Sequence, residues 1–196
     1  MTAQRLILAS ASPRRKELLS LLGVAFEVMA ADVDESVLPG ELPRAYVERL
    51  ARSKALKIGA LDRDALALAA DTSVVVDSQI LGKPGHDEAA GLAMLKLLSG
   101  RSHLVMTGIA VASGRRLESQ VIETTVEFRE LSDSEMRWYV KSGEGADKAG
   151  GYGLQARAGA FITSLHGSST SVIGLPLAET ALLLQRSGLV LPWSAP

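Results

Sequence analysis

The chain has 196 residues, 47% of them hydrophobic and 22% charged, with a formal net charge of −1. That composition belongs to a folded domain, not a disordered segment, and the near-neutral charge argues against nucleic-acid binding by broad phosphate neutralisation. With no cysteine, disulfides, thiolate nucleophiles and Cys-based metal centres are all excluded. In chain order, residues 5–10 read as a strand. Ser12-Pro13 then opens a helix, with Ser12 as N-cap and Pro13 at the first helical position. Leu18, Leu19, Leu21 and Leu22 supply its apolar side, and Gly23 ends it. A second strand is expected over 24–30, followed by the acidic loop Asp32-Val-Asp34-Glu35 and the turn Pro39-Gly40. A helix covers 43–60 and a buried strand 66–76. Asp77-Ser-Gln79 turns the chain into Ile80-Leu-Gly-Lys83-Pro84. Residues 87–98 are helical, and 102–112 and 116–129 form two long antiparallel strands. Ser132 and Glu135 make a capping box for a helix to about 142. A Gly-rich loop over 143–153, a strand near 160–166 and a last helix over 176–187 follow, and the Pro-Trp tail is expected to fray. The alternation of extended and helical segments predicts an α/β fold in a single domain over 1–196, and leaves open a lobe at 102–142.

The strongest clues are charges where the pattern calls for apolar side chains. Asp71 interrupts Leu66-Ala-Leu-Ala-Ala-Asp-Thr-Ser-Val-Val-Val76, and a carboxylate there is costly unless paired, hydrogen-bonded or on a metal. Either the strand ends at Ala70 and Asp71 caps a turn, or Asp71 is a working carboxylate at a strand bend. Lys54 falls near the centre of the helical stripe formed by Tyr46, Val47, Leu50, Ala51 and Ile58, while Arg44, Glu48, Arg49 and Arg52 face away. It either snorkels from the core's edge or delivers an ammonium into a polar pocket. Ser10-Ala-Ser-Pro-Arg14-Arg15 joins a strand to a helix N-terminus, where amides, hydroxyls and guanidiniums can cradle a phosphate. Lys83, Glu35 and the loop Asp147-Lys-Ala-Gly-Gly-Tyr-Gly-Leu-Gln155 gain weight only beside these. Gln155 carries the donor and acceptor needed to read a base edge. His86, His103 and His166 show no ligand spacing, and Trp138 and Tyr139 read as packing residues. No apolar run approaches the ~20 residues of a membrane span, and the stretch from Leu6 to Ala11 is too short for a signal sequence. A cytoplasmic protein without membrane or nucleic-acid partners is the expectation.

Taken together, Leu8-Ala-Ser10-Ala-Ser-Pro-Arg-Arg15-Lys-Glu-Leu-Leu19, Val33-Asp-Glu35, Leu50-Ala-Arg-Ser-Lys54-Ala, Ala70-Asp71-Thr72, Leu81-Gly-Lys83-Pro, the Asp147–Gln155 loop and Val172-Ile-Gly-Leu-Pro-Leu177 resemble the Maf family of nucleoside triphosphate pyrophosphatases over about residues 5–187. Arg14, Thr72 and Gln155 look like the dTTP/UTP branch and not the 7-methyl-GTP branch. The chain departs from that branch at Ala156, where glycine is common. The resemblance implies an elongated mixed sheet flanked by helices, similar to the inosine triphosphate pyrophosphatases. It also implies cleavage between the α- and β-phosphates, a divalent cation (Mg²⁺ or Mn²⁺) and a homodimer.

On that basis Asp71 is expected as general base and, with Glu35, as metal ligand. Arg15, Lys54, Lys83 and Ser10 are expected to hold the phosphates, and Arg14, Thr72 and Gln155 to select the base. Two alternatives stand beside this expectation. One is the same chemistry on 7-methyl-GTP or modified pyrimidine nucleotides. The other is a non-catalytic regulator of septum formation.

Overall fold

The computed structural model describes residues 4–194. Its seven-stranded sheet runs β2-β1-β3-β5-β6-β7, with β4 paired to β3 beside that path. β1 (Leu6–Leu8) lies parallel to β2 (Glu27–Val28) and β3 (Leu66–Val76). β4 (Gln79–Leu81), β5 (Ser102–Ser113), β6 (Arg116–Phe128) and β7 (Ile162–His166) all pair antiparallel. Around the sheet stand helices α1 (Pro13–Ser20), α2 (Pro43–Leu61), α3 (Glu88–Leu98), α4 (Asp133–Lys141), α5 (Ser169–Ile173) and α6 (Leu177–Arg186). The fold is therefore mixed α/β. Among the described residues no helix is long and apolar enough to cross a membrane.

Side-chain alternation along β3 separates two faces. Leu66, Leu68 and Ala70 join Leu18 and Leu19 of α1 and Leu183 and Leu184 of α6 in one core. Ala67 and Ala69 face Ala51, Ala55 and Ile58 of α2 in another. A third core gathers α3, α4 and the far strands around Phe128, Tyr139 and Phe161. The alanines facing α2 let that helix lie close to the sheet. At the closest point, a Cβ on Gly108 of β5 would sit 2.4 Å from the carbonyl oxygen of Val47.

The pairing of β3 creates the gap that matters for function. β5 pairs with it from Ala67 through Val75 without a break. On its other edge, β1 pairs only at Leu66–Leu68 and β4 only at Val74–Val76. Between them, among the described residues, no strand covers the edge of β3 at residues 69–73. β4 returns through a tight turn whose two residues, Asp77 and Ser78, both have positive φ, the backbone such a two-residue hairpin requires.

The structure corrects the sequence reading in four places. The strand expected over 24–30 is only Glu27–Val28, both residues exposed; its partner β1 is short, and Val24 and Phe26 pack as loop residues against the core. The strand expected from 160 begins at Ile162, after a 3-10 turn over Arg157–Phe161. Helix α5, capped by Ser168, has five residues, too few to show a helical period. The tail does not fray through its described part: Leu191 is buried and Pro192–Ser194 form a 3-10 turn.

Gly108→Ala should lower stability by more than the ~1–3 kcal/mol of ordinary overpacking, because the atom in the way is backbone; urea denaturation measures the loss. His103 supplies an acid-side test. It is 4% exposed, its Nε2 lies 2.7 Å from the Tyr152 hydroxyl, and burial, helped by the charge of Arg101, lowers its pKa to about 4. As pH falls below the ordinary histidine value, the unfolded chain takes up a proton that the folded one refuses. Stability should therefore drop between about pH 6.5 and pH 4, by roughly 3 kcal/mol at about 1.4 kcal/mol per unit. His103→Leu should lose that part of the pH dependence in melts across this range.

Candidate active site

The uncovered edge of β3 opens into a cleft of about 800 Å³. Every residue singled out from the sequence lines it: Ser10, Arg14 and Arg15 from the β1–α1 junction, Glu35 from the acidic loop, and Lys54 from α2. Asp71 and Thr72 come from β3, Lys83 from the segment after β4, and Gln155 from the Gly-rich loop. Asp71 lies inside an unbroken strand and pairs in register with Gly108, so it does not cap a turn. It shares a face with Gly108, and α2 closes over that face. Thr72 points to the other face, where its hydroxyl lies 2.9 Å from that of Thr107. Because the edge is bare, residues on opposite faces of one strand both reach the cleft.

On the α2 side an ammonium stands between two carboxylates. Lys54 Nζ lies 2.7 Å from Asp71 Oδ1 and 2.6 Å from Glu35 Oε1. The Lys54 and Asp71 side chains are 8% and 11% exposed, that of Glu35 50%. Lys54 therefore delivers its charge into the polar pocket and does not snorkel. Burial raises the pKa of Asp71, against the charges of Lys54 and Arg15, and the nearby charge of Glu35 adds to the rise. Burial also pushes Glu35 upward, but the hydrogen bond and charge of Lys54, with Lys83 and Arg15 behind them, outweigh it and leave Glu35 below the ordinary range.

On the other side is a cationic cradle. Ser12 caps α1, as its sequence predicts. The Arg15 guanidinium donates to the carbonyl of Gly174 at 2.9 Å, to Ser10 Oγ at 3.3 Å and to Thr72 Oγ1 at 3.4 Å. Burial lowers its pKa, partly offset by the charge of Asp71; it remains a cation, with donors to spare for an anion. Arg14 reaches across the cleft to Asp147 at 3.0 Å, which ties the first turn of α1 to the Gly-rich loop. That loop does not behave as a free connector. Gly150 has φ +67°, and a Cβ there would lie 2.8 Å from Val74. Ala156 has φ −131°, outside the left-handed region.

Sequence reasoning missed four contributors. Gly174 anchors Arg15, Asp147 holds Arg14, and Thr107 hydrogen-bonds Thr72 and the carbonyl of Ser171. Tyr46, assigned to the helix stripe, donates its hydroxyl to the backbone carbonyl of Glu35. The motif strings contained Asp147 and Gly174, but nothing in a string shows a partner far along the chain.

The donor set bears on the implied cation. Glu35 and Asp71 offer hard carboxylate oxygens, and among the described residues no group of three or more His, Asp or Glu gathers as a closed metal cage. Mg²⁺ is commonly bound by one or two carboxylates together with substrate phosphates. The residues present fit a cation that arrives on a polyphosphate.

An α/β protein whose cleft sets a buried carboxylate beside a cationic, amide-rich cradle belongs to the class that handles phosphorylated ligands. The sequence comparisons agree. The Maf family, described as Maf-like protein, matches residues 5–187, and the chain belongs to that family. A Myxococcus xanthus (strain DK1622) protein named dTTP/UTP pyrophosphatase is 52% identical, over 97% of this chain and 96% of its own. A protein of the same name from Anaeromyxobacter dehalogenans (strain 2CP-C) is 51% identical, over 99% of this chain and all of its own. Among solved structures, the Staphylococcus aureus Ham1 protein overlays 66% of this chain and 73% of its own, at 18% identity and a TM-score of 0.47.

Lys54→Met removes the cation from two carboxylates at once. Breaking a buried pair costs about 3–5 kcal/mol, and protonating the stranded acids relieves it. The stability deficit against wild type should therefore be larger at pH 7 than at pH 4.5, as thermal melts at both values can measure. A deficit independent of pH contradicts the shared-ammonium arrangement.

Proposed function

We propose that this chain hydrolyses dTTP and UTP to the nucleoside monophosphate and pyrophosphate. One observation carries the proposal: a buried carboxylate with a raised pKa lies at the same cleft as a helix N-terminus and the cationic side chains of Arg15, Lys54 and Lys83. A triphosphate carries about four negative charges near pH 7, so its hydrolysis depends on charge neutralisation and on positioning a water. Arg15, Lys83 and the first amides of α1 bind the phosphate oxygens, and Ser10 places one of them. Asp71 Oδ1 is held by Lys54, which leaves Oδ2 to take the proton of a water. That water oxygen forms a bond to the α-phosphorus as the bond to the bridging oxygen breaks, and pyrophosphate leaves with the electron pair. The proton on Asp71 then passes to solvent. Glu35 and Asp71 would hold a divalent cation, which would supply further neutralisation of the phosphate charge.

Base selection in this proposal falls to Arg14, Thr72 and Gln155, a set that joins both walls of the cleft. The names of the relatives favour dTTP and UTP over 7-methyl-GTP. On the resemblance alone, the proposal extends to nucleotide-pool sanitation by a cytoplasmic homodimer.

Pure protein incubated with Mg²⁺ and UTP should yield UMP and pyrophosphate, separable by ion-exchange chromatography, and 7-methyl-GTP should turn over more slowly. UDP and orthophosphate as products would mean a different bond is cut. Asp71→Asn should lose at least ~10²-fold in kcat, the scale of general-base catalysis, with an unchanged circular dichroism spectrum. In wild type the acid limb of kcat/KM should lie above the ordinary aspartate range, because the base must be unprotonated and its pKa is raised.

A further inference from the structure

The segment over 32–42, which carries Glu35, contains no helix or strand. Lys57 of α2 donates to the carbonyl of Asp32 at its start, and two further residues of that helix hold the part around Glu35. Arg49 Nε and Nη2 donate to Glu41 Oε1 and Oε2 at 2.5 and 2.7 Å, and Nη2 also donates to the carbonyl of Ser36 at 2.9 Å. Glu41 Oε2 accepts from the amide of Leu38 at 3.0 Å. Tyr46 donates to the carbonyl of Glu35 itself at 2.8 Å, and the Arg49 guanidinium lies 5.5 Å from the Tyr46 ring centroid. The backbone at positions 35, 36 and 38 is thereby fixed to α2, directly or through Glu41.

This clamp differs from an ordinary surface ion pair, which contributes little to stability. The Glu41 side chain is only 8% exposed and the Arg49 side chain 28%. The fork is bidentate, the geometry in which arginine is strongest and most directional. Its consequence is local. The Glu35 side chain is half exposed, yet its Oε1 meets Lys54 Nζ at 2.6 Å. The same helix supplies both the ammonium and the mount for the carboxylate that meets it. Arg49 and Glu41 do not line the cleft, so they touch neither the nucleotide nor the reacting atoms.

We propose that Arg49, with Glu41 and Tyr46, is a positioning device that sets Glu35 at the phosphate end of the cleft. The inference rests on the function proposed above, in which Glu35 works beside the phosphates. Arg49→Met frees the loop while leaving every cleft side chain in the sequence.

The test is a cycle of Arg49→Met, Glu35→Gln and the double variant, with kcat and KM measured on UTP and amide exchange followed over residues 34–41. Misplacing a catalytic group by about 1 Å can cost ~10²-fold. Arg49→Met should therefore lose about 10-fold or more in kcat/KM, no further than Glu35→Gln loses, and exchange at Ser36 and Leu38 should quicken. In the Glu35→Gln background the same substitution should cost nothing more, since a residue acting through Glu35 has nothing left to place. Arg49→Lys, which keeps the charge and loses the fork, should recover only part. If Arg49→Met does not fold, Glu41→Gln gives the same comparison. Equal losses in both backgrounds, or a Glu35→Gln variant as active as wild type, overturn the positioning role alone. A wild-type protein that hydrolyses no nucleoside triphosphate overturns the proposed function, and the positioning role with it.

Discussion

Everything at the cleft depends on one ammonium group. Asp71 sits in the middle of a strand whose neighbours are alanines and valines, where an unpaired carboxylate would neutralise or unfold the region. Lys54 sits in the apolar stripe of α2, where an unpaired ammonium is no more tolerable. Each makes the other's position possible, and Glu35 brings a second carboxylate to the same ammonium from the exposed side. The two carboxylates share this cation yet shift in opposite directions, Asp71 upward and Glu35 downward. Burial decides the difference, because Asp71 is nearly enclosed while half of the Glu35 side chain meets water. One lysine thus maintains two acids of unequal strength, the arrangement expected where one carboxylate accepts protons and the other stays charged.

The sheet supplies the place for this. A strand paired on both edges would show the cleft only one face, and Asp71 and Thr72 could not both reach it. Since β1 leaves β3 after Leu68 and β4 joins it only at Val74, the strand is exposed edge-on between them. Asp71 then serves the α2 side with Lys54 and Glu35, and Thr72 serves the α1 side with Arg15. The chain leaving β1 passes the gap through Ser10 and Ser12 and turns into α1, so the helix N-terminus arrives where the edge is bare. The cationic cradle and Asp71 are neighbours because they share an interruption in strand pairing.

Much of this was legible from single residues. Asp71 and Lys54 announced themselves by violating an apolar pattern, since a buried charge needs a partner and the sequence shows the violation before it shows the partner. Ser12-Pro13 announced a cap by its local chemistry alone. What stayed hidden was relational. Arg49 faces away from the apolar stripe, as its helical phase requires, but phase does not say that Glu41 and the carbonyl of Ser36 wait there. Arg15 finds Gly174 at a separation of 159 residues and Arg14 finds Asp147 at 133, and no periodicity reports such pairs. The sequence pattern implies a longer β2 because Val24, Phe26 and Val28 alternate like a strand, while the short partner β1 pairs with only two residues of it.

The Gly-rich loop shows how the two ends of the cleft are joined. Gly150 packs closely against Val74 of the β3–β4 hairpin. The amide of Gly150 donates to the carbonyl of Gly82 at 2.9 Å, and the amide of Gly85 to the carbonyl of Ala146 at 3.0 Å. Lys83 therefore lies on a segment bonded on both sides of it to the loop that leads to Gln155. Asp147 of the same loop meets Arg14 across the opening. The residue proposed to bind phosphate, Lys83, and the residue proposed to read the base, Gln155, therefore sit on two segments joined by backbone hydrogen bonds.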